Sequence, residues 1–181
     1  TDVVLIKAQA GLTINVNGAP VRVHGIESFN ALNVSTTLQV DGLFTAHESV
    51  TLNGGTIKGG VLDIAAGEVL EMTNNFSNRL QGLTVNGDLS LGGSAVVVVK
   101  DLVLNGTATL GDNSSIGFDG TQRLEGQARI VFNAGNNYAH LEMAGAGTLT
   151  LGAQVQVRGS SGALGYNGRF NQAMALINEG S

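Results

Sequence analysis

Val85-Asn86-Gly87-Asp88-Leu89-Ser90-Leu91 decides the reading of this chain, because the pattern returns. Leu104-Asn105-Gly106-Thr107-Ala108-Thr109-Leu110 aligns with it without a gap. So do Leu124-Glu125-Gly126-Gln127-Ala128-Arg129-Ile130 and Gly145-Ala146-Gly147-Thr148-Leu149-Thr150-Leu151. Gly87, Gly106, Gly126 and Gly147 therefore recur at a nearly constant interval of about twenty residues, a period that marks one coil of a solenoid. Each segment also alternates. Leu89, Ala108, Ala128 and Leu149 are expected to form one apolar column, and Leu91, Leu110, Ile130 and Leu151 the next. Asp88, Thr107, Gln127 and Thr148 alternate with them and point outward. No single coil can bury its inward row, but stacked coils bury all of them as one core.

The glycine after Val-Asn or Leu-Asn suits a corner, where a positive φ costs glycine nothing in Cβ sterics. Other faces of the coil take short strands at Ser115 to Phe118, with Ile116 and Phe118 inward, and Gln154 to Arg158, with Val155 and Val157 inward. Val16-Asn17-Gly18, Val23-His24-Gly25, Val40-Asp41-Gly42 and Leu52-Asn53-Gly54 carry the same corner signature at uneven spacing. That unevenness predicts less regular coils over residues 1–82, with insertions or short coils, and regular repeats over 83–181. Thr73 to Asn78 and Asn133 to Tyr138 read as loops leaving the barrel. Asn86 and Asn105 occupy equivalent places and predict a stacked amide ladder. An antiparallel sandwich would show turns every 8–12 residues and no fixed long period. The expected fold is therefore all-β: one right-handed parallel β-helix over 1–181, with coils of about 19–21 residues.

Composition narrows the function classes. Hydrophobic residues make up 43% of 181, too many for a disordered chain. The nine Lys and Arg are scattered and the net charge is −5, which argues against a nucleic-acid backbone as partner. The absence of cysteine excludes a disulfide scaffold or a thiolate metal site. The longest apolar run, Ala95 to Val99, is far shorter than the roughly eighteen residues of a membrane helix, so membrane insertion is not expected. No signal peptide is read at the start, and a chain that begins at Thr1 reads as a mature or excised piece of something longer.

Two stretches carry a resemblance. One is Leu83 to Leu91, followed by Leu102 to Gly111 and Ile116-Gly117-Phe118-Asp119-Gly120-Thr121-Gln122. The other is Gly147 to Gly152, leading to Val157-Arg158-Gly159 and Ala175-Leu176-Ile177-Asn178-Glu179-Gly180. They resemble the β-helical repeat regions of large bacterial secreted and surface proteins, in the style of filamentous-haemagglutinin-like adhesins and autotransporter passengers. The resemblance covers Leu83 to Ser181 and implies a β-helix, a place outside the cell or on its surface, and a role in adhesion. It carries over no active-site residues, and no two-partner secretion motif is found. The chain ends directly after a repeat-like segment, so a natural cap is expected to be missing and the open ends to associate end to end.

Candidate chemistry is sparse. Lys100, Asp101, Asp119, Arg123 and Glu125 come nearest to a set of acids and bases on adjacent coils, as a polysaccharide lyase or hydrolase needs. Lys100 and Asp119 are one coil apart and could stack, which a hydrated surface salt bridge would equally explain. Outward threonines would suit an ice-binding face, but Gln127 and Arg129, with Asp88 and Ser90, interrupt the columns. His24, His47 and His140 show no ligand spacing, so no metal or other cofactor is assigned. Asp112-Asn113 reads as a turn rather than a calcium loop. Glycan recognition uses exposed aromatic rings beside amides and charges. Tyr138 with Asn136, Asn137 and His140 is one such spot, and Tyr166 with Arg169 is another. The reading is thus a non-enzymatic, extracellular, structural or adhesive segment of a bacterial surface protein, with a glycan or protein surface as partner. A carbohydrate-active β-helix enzyme or a phage-type fibre is the alternative.

Overall fold

The computed structural model describes residues 2–165 and 169–180. Among them are twenty-five short strands and no helix. The strands stack in parallel, coil on coil, as expected for a β-solenoid. The first face runs from Val3–Ile6 through Gly25–Ser28, Leu43–Ala46, Val61–Ile64 and Thr84–Asn86 to Val103–Asn105. A single parallel bridge, Val103 to Glu125, leads from it to a three-stranded sheet of Gln122–Leu124, Gly147–Leu151 and Met174–Asn178. The second face has eight strands, from Thr13–Val16 to Gln156–Gly159, and the third has eight, from Val21–Val23 to Gly162–Leu164. Each turn of the chain visits the three faces in order, giving eight coils and one further strand.

Alternation along each strand builds the core. Leu32, Val50, Leu70, Leu89, Ala108 and Ile130 stack as one inward column of the second face. Val34, Leu52, Met72, Leu91, Leu110 and Phe132 form the other. Leu38, Ile57, Leu80, Val99, Phe118 and Met143 face them from the third sheet. All belong to one buried cluster that runs the length of the stack. Each fully buried leucine contributes about 1.5–3 kcal/mol relative to exposure.

The register corrects two expectations. Ala108 stacks on Ile130 rather than Ala128, and Leu110 on Phe132 rather than Ile130. Leu149 and Leu151 lie on another face, above Gln122 and Leu124. The spacing of the coils can be followed along one column. Ile14, Leu32, Val50, Leu70, Leu89 and Ala108 follow one another up the stack at nearly equal intervals of sequence. The steps from Ala108 to Ile130 and from Ile130 to Val157 are longer, the last of them longest. The even stretch therefore runs from Ile14 to Ala108, with the short coils expected before residue 83 and regular ones just after it. The later coils lengthen because they carry extra chain outside the barrel, such as 133–138.

The corner glycines have two separate causes. Gly126 has φ +93°, as a positive-φ corner requires. Gly106 has no such φ. A Cβ there would lie 2.0 Å from the Gly87 carbonyl oxygen of the preceding coil, so close stacking alone demands glycine.

Candidate binding surface on the third sheet

Val96–Lys100, Ser115–Asp119 and Ala139–Gly145 are neighbouring strands of the third sheet. Val97, Val99, Ile116, Phe118, Leu141 and Met143 point into the barrel. On the opposite side, Val96, Ser115 and His140 align, as do Val98, Gly117 and Glu142. This outer side is covered too. Val96, Val98, Ser115 and Glu142 are all at most 5% exposed, although the two valines lie outside the interior cluster. A strand buried on both sides reads as an unbroken apolar run, and Ala95 to Val99 is that run.

Two segments make the cover. The loop 73–78 is held by Asn78, a fully buried side chain. Its Nδ2 donates to the carbonyls of Thr73 and Val96, both at 2.9 Å, and its Oδ1 accepts from Gly54 N at 2.6 Å. The second segment is Arg169–Gln172. Phe170 lies against Gly117 so closely that a Cβ there would be 2.6 Å from the ring. Phe76 meets Phe170 edge-on at 6.5 Å, and the Arg169 guanidinium sits 5.2 Å from the Phe76 ring centre.

Glu142 ties this cover down from below. Its Oε1 accepts from the Ser115 hydroxyl, and its Oε2 accepts from the backbone amides of Arg169 at 3.1 Å and Phe170 at 3.4 Å. Hydrogen bonds from neutral groups take the place of water around a buried carboxylate. Ser115 is itself fully buried, so its hydroxyl holds the carboxylate and does not face solvent.

The loop 133–138 is held from the neighbouring coil. Asp112 Oδ1 accepts from the amides of Gly135 at 2.6 Å, Asn136 at 3.1 Å and Asn137 at 3.3 Å. Those bonds, from Asn136 first, hold the Asp112 carboxyl below its ordinary value. The adjacent Asn113 carbonyl accepts from the Arg169 guanidinium. Burial pushes His140 below the ordinary histidine value; Glu142 opposes that shift and Arg169 adds to it.

Arg169, the described member of the second spot, therefore lies in the neighbourhood of the first. Asn136, Asn137 and Tyr138 stand exposed on the loop that Asp112 holds, with Tyr138 63% accessible. His140 and Arg169 flank Glu142 at its base. Tyr166 lies outside the described residues. Sequence reading placed Asp112 in a turn, as found, but missed the loop it holds, and it missed Glu142, Asn78 and the Phe76–Phe170 pair. The valine run was the available signal, since it announces a second covered side.

Lys100 and Asp119 follow the register partners Val99 and Phe118 on neighbouring strands, and the other charged residues considered for catalysis have contacts of their own. Asp101 sits in a turn, where its amide donates to Gln122 Oε1 at 3.0 Å. Arg123 bonds both Glu125 and Glu179, and it holds the Glu179 carboxyl below its ordinary value. Lys100 and Asp119 form no ion pair among the described residues. His47 stacks on Phe29 at 4.0 Å and bonds Glu27 at 3.2 Å, a separate cluster on the first face. Among the described residues no three His, Asp or Glu side chains are grouped as metal ligands, and no helix is long and apolar enough to cross a membrane.

Comparison with family models, curated proteins and solved structures returned no match. The fold itself defines a class. The chain is a parallel β-solenoid repeat protein, with a covered outer side on its third face.

Proposed function

We propose that this chain is a non-enzymatic, extracellular rod segment of a large bacterial surface protein. In this reading it spaces or presents binding surfaces, with a glycan or a protein as partner. One observation carries it: polar side chains bond from coil to coil along the outside of a continuous core. Asn86 Nδ2 donates to Asp63 Oδ1 at 2.5 Å, Asn105 Nδ2 to Asn86 Oδ1 at 2.8 Å, and Asn33 Nδ2 to Asn15 Oδ1 at 2.9 Å. Such ladders stiffen a stack whose coils touch only their neighbours. The exposed loop with Asn136, Asn137 and Tyr138, held at its base by Asp112, suits presentation from a rigid support.

The test is a broad glycan array, with product analysis on the corresponding polysaccharides. Selective binding without cleavage is expected. Released oligosaccharides would overturn the non-enzymatic reading in favour of a carbohydrate-active β-helix.

A further inference from the structure

A different groove crosses the outer side of the second face, on the sixth to eighth coils. Asn105, Thr107, Gln127, Arg129, Gln154 and Gln156 line it, and its volume is about 580 Å³. Thr107 aligns with Arg129, and Arg129 with Gln156. The six therefore come as three successive pairs, one pair per coil, spaced by the roughly 4.7–4.9 Å between neighbouring strands.

This groove gathers side chains that are free to bind and that flank one depression. Some outward charges elsewhere are paired: Arg22 with Asp41, and Arg123 with Glu125 and Glu179. Asn105 is itself held in the ladder, and its Oδ1 accepts from the backbone N–H of Gln127 at 3.1 Å. The side chains of Gln127, Arg129, Gln154 and Gln156 make no hydrogen bond or ion pair among the described residues, and all four are exposed. Three primary amides and a guanidinium are thus aimed at solvent from a regular array. Arg158, one position over beside Val131, adds a second cation to this end of the face.

From this we infer that the groove binds an acidic glycan, with Arg129 holding a carboxylate and the glutamine amides holding hydroxyls. The inference rests on the adhesive reading above and gives it a site. Amides donate and accept at once, which matches sugar hydroxyls. A guanidinium forms two parallel hydrogen bonds to a carboxylate. A protein partner needs apolar or aromatic anchors at its centre, and this groove has none. A nucleic-acid backbone needs a run of cations, and the groove holds one. A ligand lying along the stack would meet an equivalent polar pair at every coil.

The test is an array of neutral, uronic-acid, sialylated and sulfated glycans. It is probed with the whole chain and with R129Q, Q156A and Y138A, each first shown to unfold at the wild-type temperature. These side chains are exposed, so the fold should be retained. Carboxylated glycans are expected to bind and to weaken with added salt. R129Q should lose about ten- to a hundredfold in affinity, the worth of a charge-assisted bond. Q156A should also weaken binding, and Y138A should not. Carboxylated-glycan binding that survives R129Q and Q156A, or that Y138A abolishes, overturns the groove and leaves the adhesive reading standing. A preference for sulfated or neutral glycans overturns the carboxylate assignment with the same consequence. If no glycan of any class binds the folded chain, the groove and the glycan part of the adhesive reading fall together.

Discussion

Asn105 stands one coil beyond Asn86, and its side-chain amide donates to the Asn86 carboxamide oxygen at 2.8 Å. Asn86 in turn donates to Asp63, so three coils are joined on the outside of the first face. Removing the middle member breaks both links. Asn86→Ala should destabilise the chain by about 1 kcal/mol, the usual net worth of such bonds. A double-mutant cycle with Asn105→Ala in urea should show positive coupling. Additive effects would mean that the two amides are held independently.

Glu142 should matter locally more than globally. Glu142→Ala leaves a buried hydroxyl and two backbone amides without their acceptor, a loss of about 1–3 kcal/mol. The expected result is faster hydrogen exchange at Arg169 and Phe170 and easier tryptic cleavage after Arg169. Glu142→Gln keeps an acceptor oxygen and should show a smaller change. Unaltered exchange in both variants would show that Phe170 and Phe76 hold the cover without the carboxylate.

What could be read from the sequence, and what could not, follows from period two. Leu89 on Ala108, and Asn86 on Asn105, were legible because the coil between them carries no extra chain. Beyond Ala108 the chain slips by two, from Ala128 to Ile130. A slip by two keeps every side chain on its own face, so alternation cannot reveal it. Leu149 carries the same local pattern on a different face, because every corner followed by a strand looks alike. The covered side was visible only as the valine run, and nothing local names Phe76 or Phe170 as its lid. The exposure of Tyr138 was legible because an aromatic residue in an Asn-rich loop has no core to join.

Acid should release the Tyr138 loop before it unfolds the core. The Asp112 carboxyl has a folded pKa below the ordinary aspartate value of 3.8. Its bonds to residues 135–137 are therefore fully present above that value and are lost as pH falls through the lower folded one. Amide exchange at Gly135 to Asn137 should rise in that window, and Asp112→Asn should show the rise already at neutral pH. His140 acts with the same sign at higher pH. Burial lowers its pKa from 6.5, so its contribution is complete above 6.5 and declines as pH falls through the folded value. His140→Gln should flatten the stability profile just below pH 6.5 and leave the Asp112 window in place.

The two ends of the stack are chemically alike. At one end Val3 is 64% and Leu5 54% exposed on a first-face strand that has a parallel neighbour on one side only. At the other, Leu176 is 40% and Ile177 50% exposed on Met174–Asn178, which likewise has one neighbour. Among the described residues each of these strands has one edge without a strand neighbour beside apolar side chains, the combination that templates strand addition. Joining the last strand of one copy to the first of another would continue the parallel stack as a head-to-tail contact, which has no built-in limit on length. Sedimentation velocity should therefore show species that grow with concentration. Ile177→Lys places a charge at the contact and should shift the distribution toward monomer at equal concentration without lowering the unfolding temperature. A single monomeric species across a hundredfold concentration range would show that the ends do not join under those conditions.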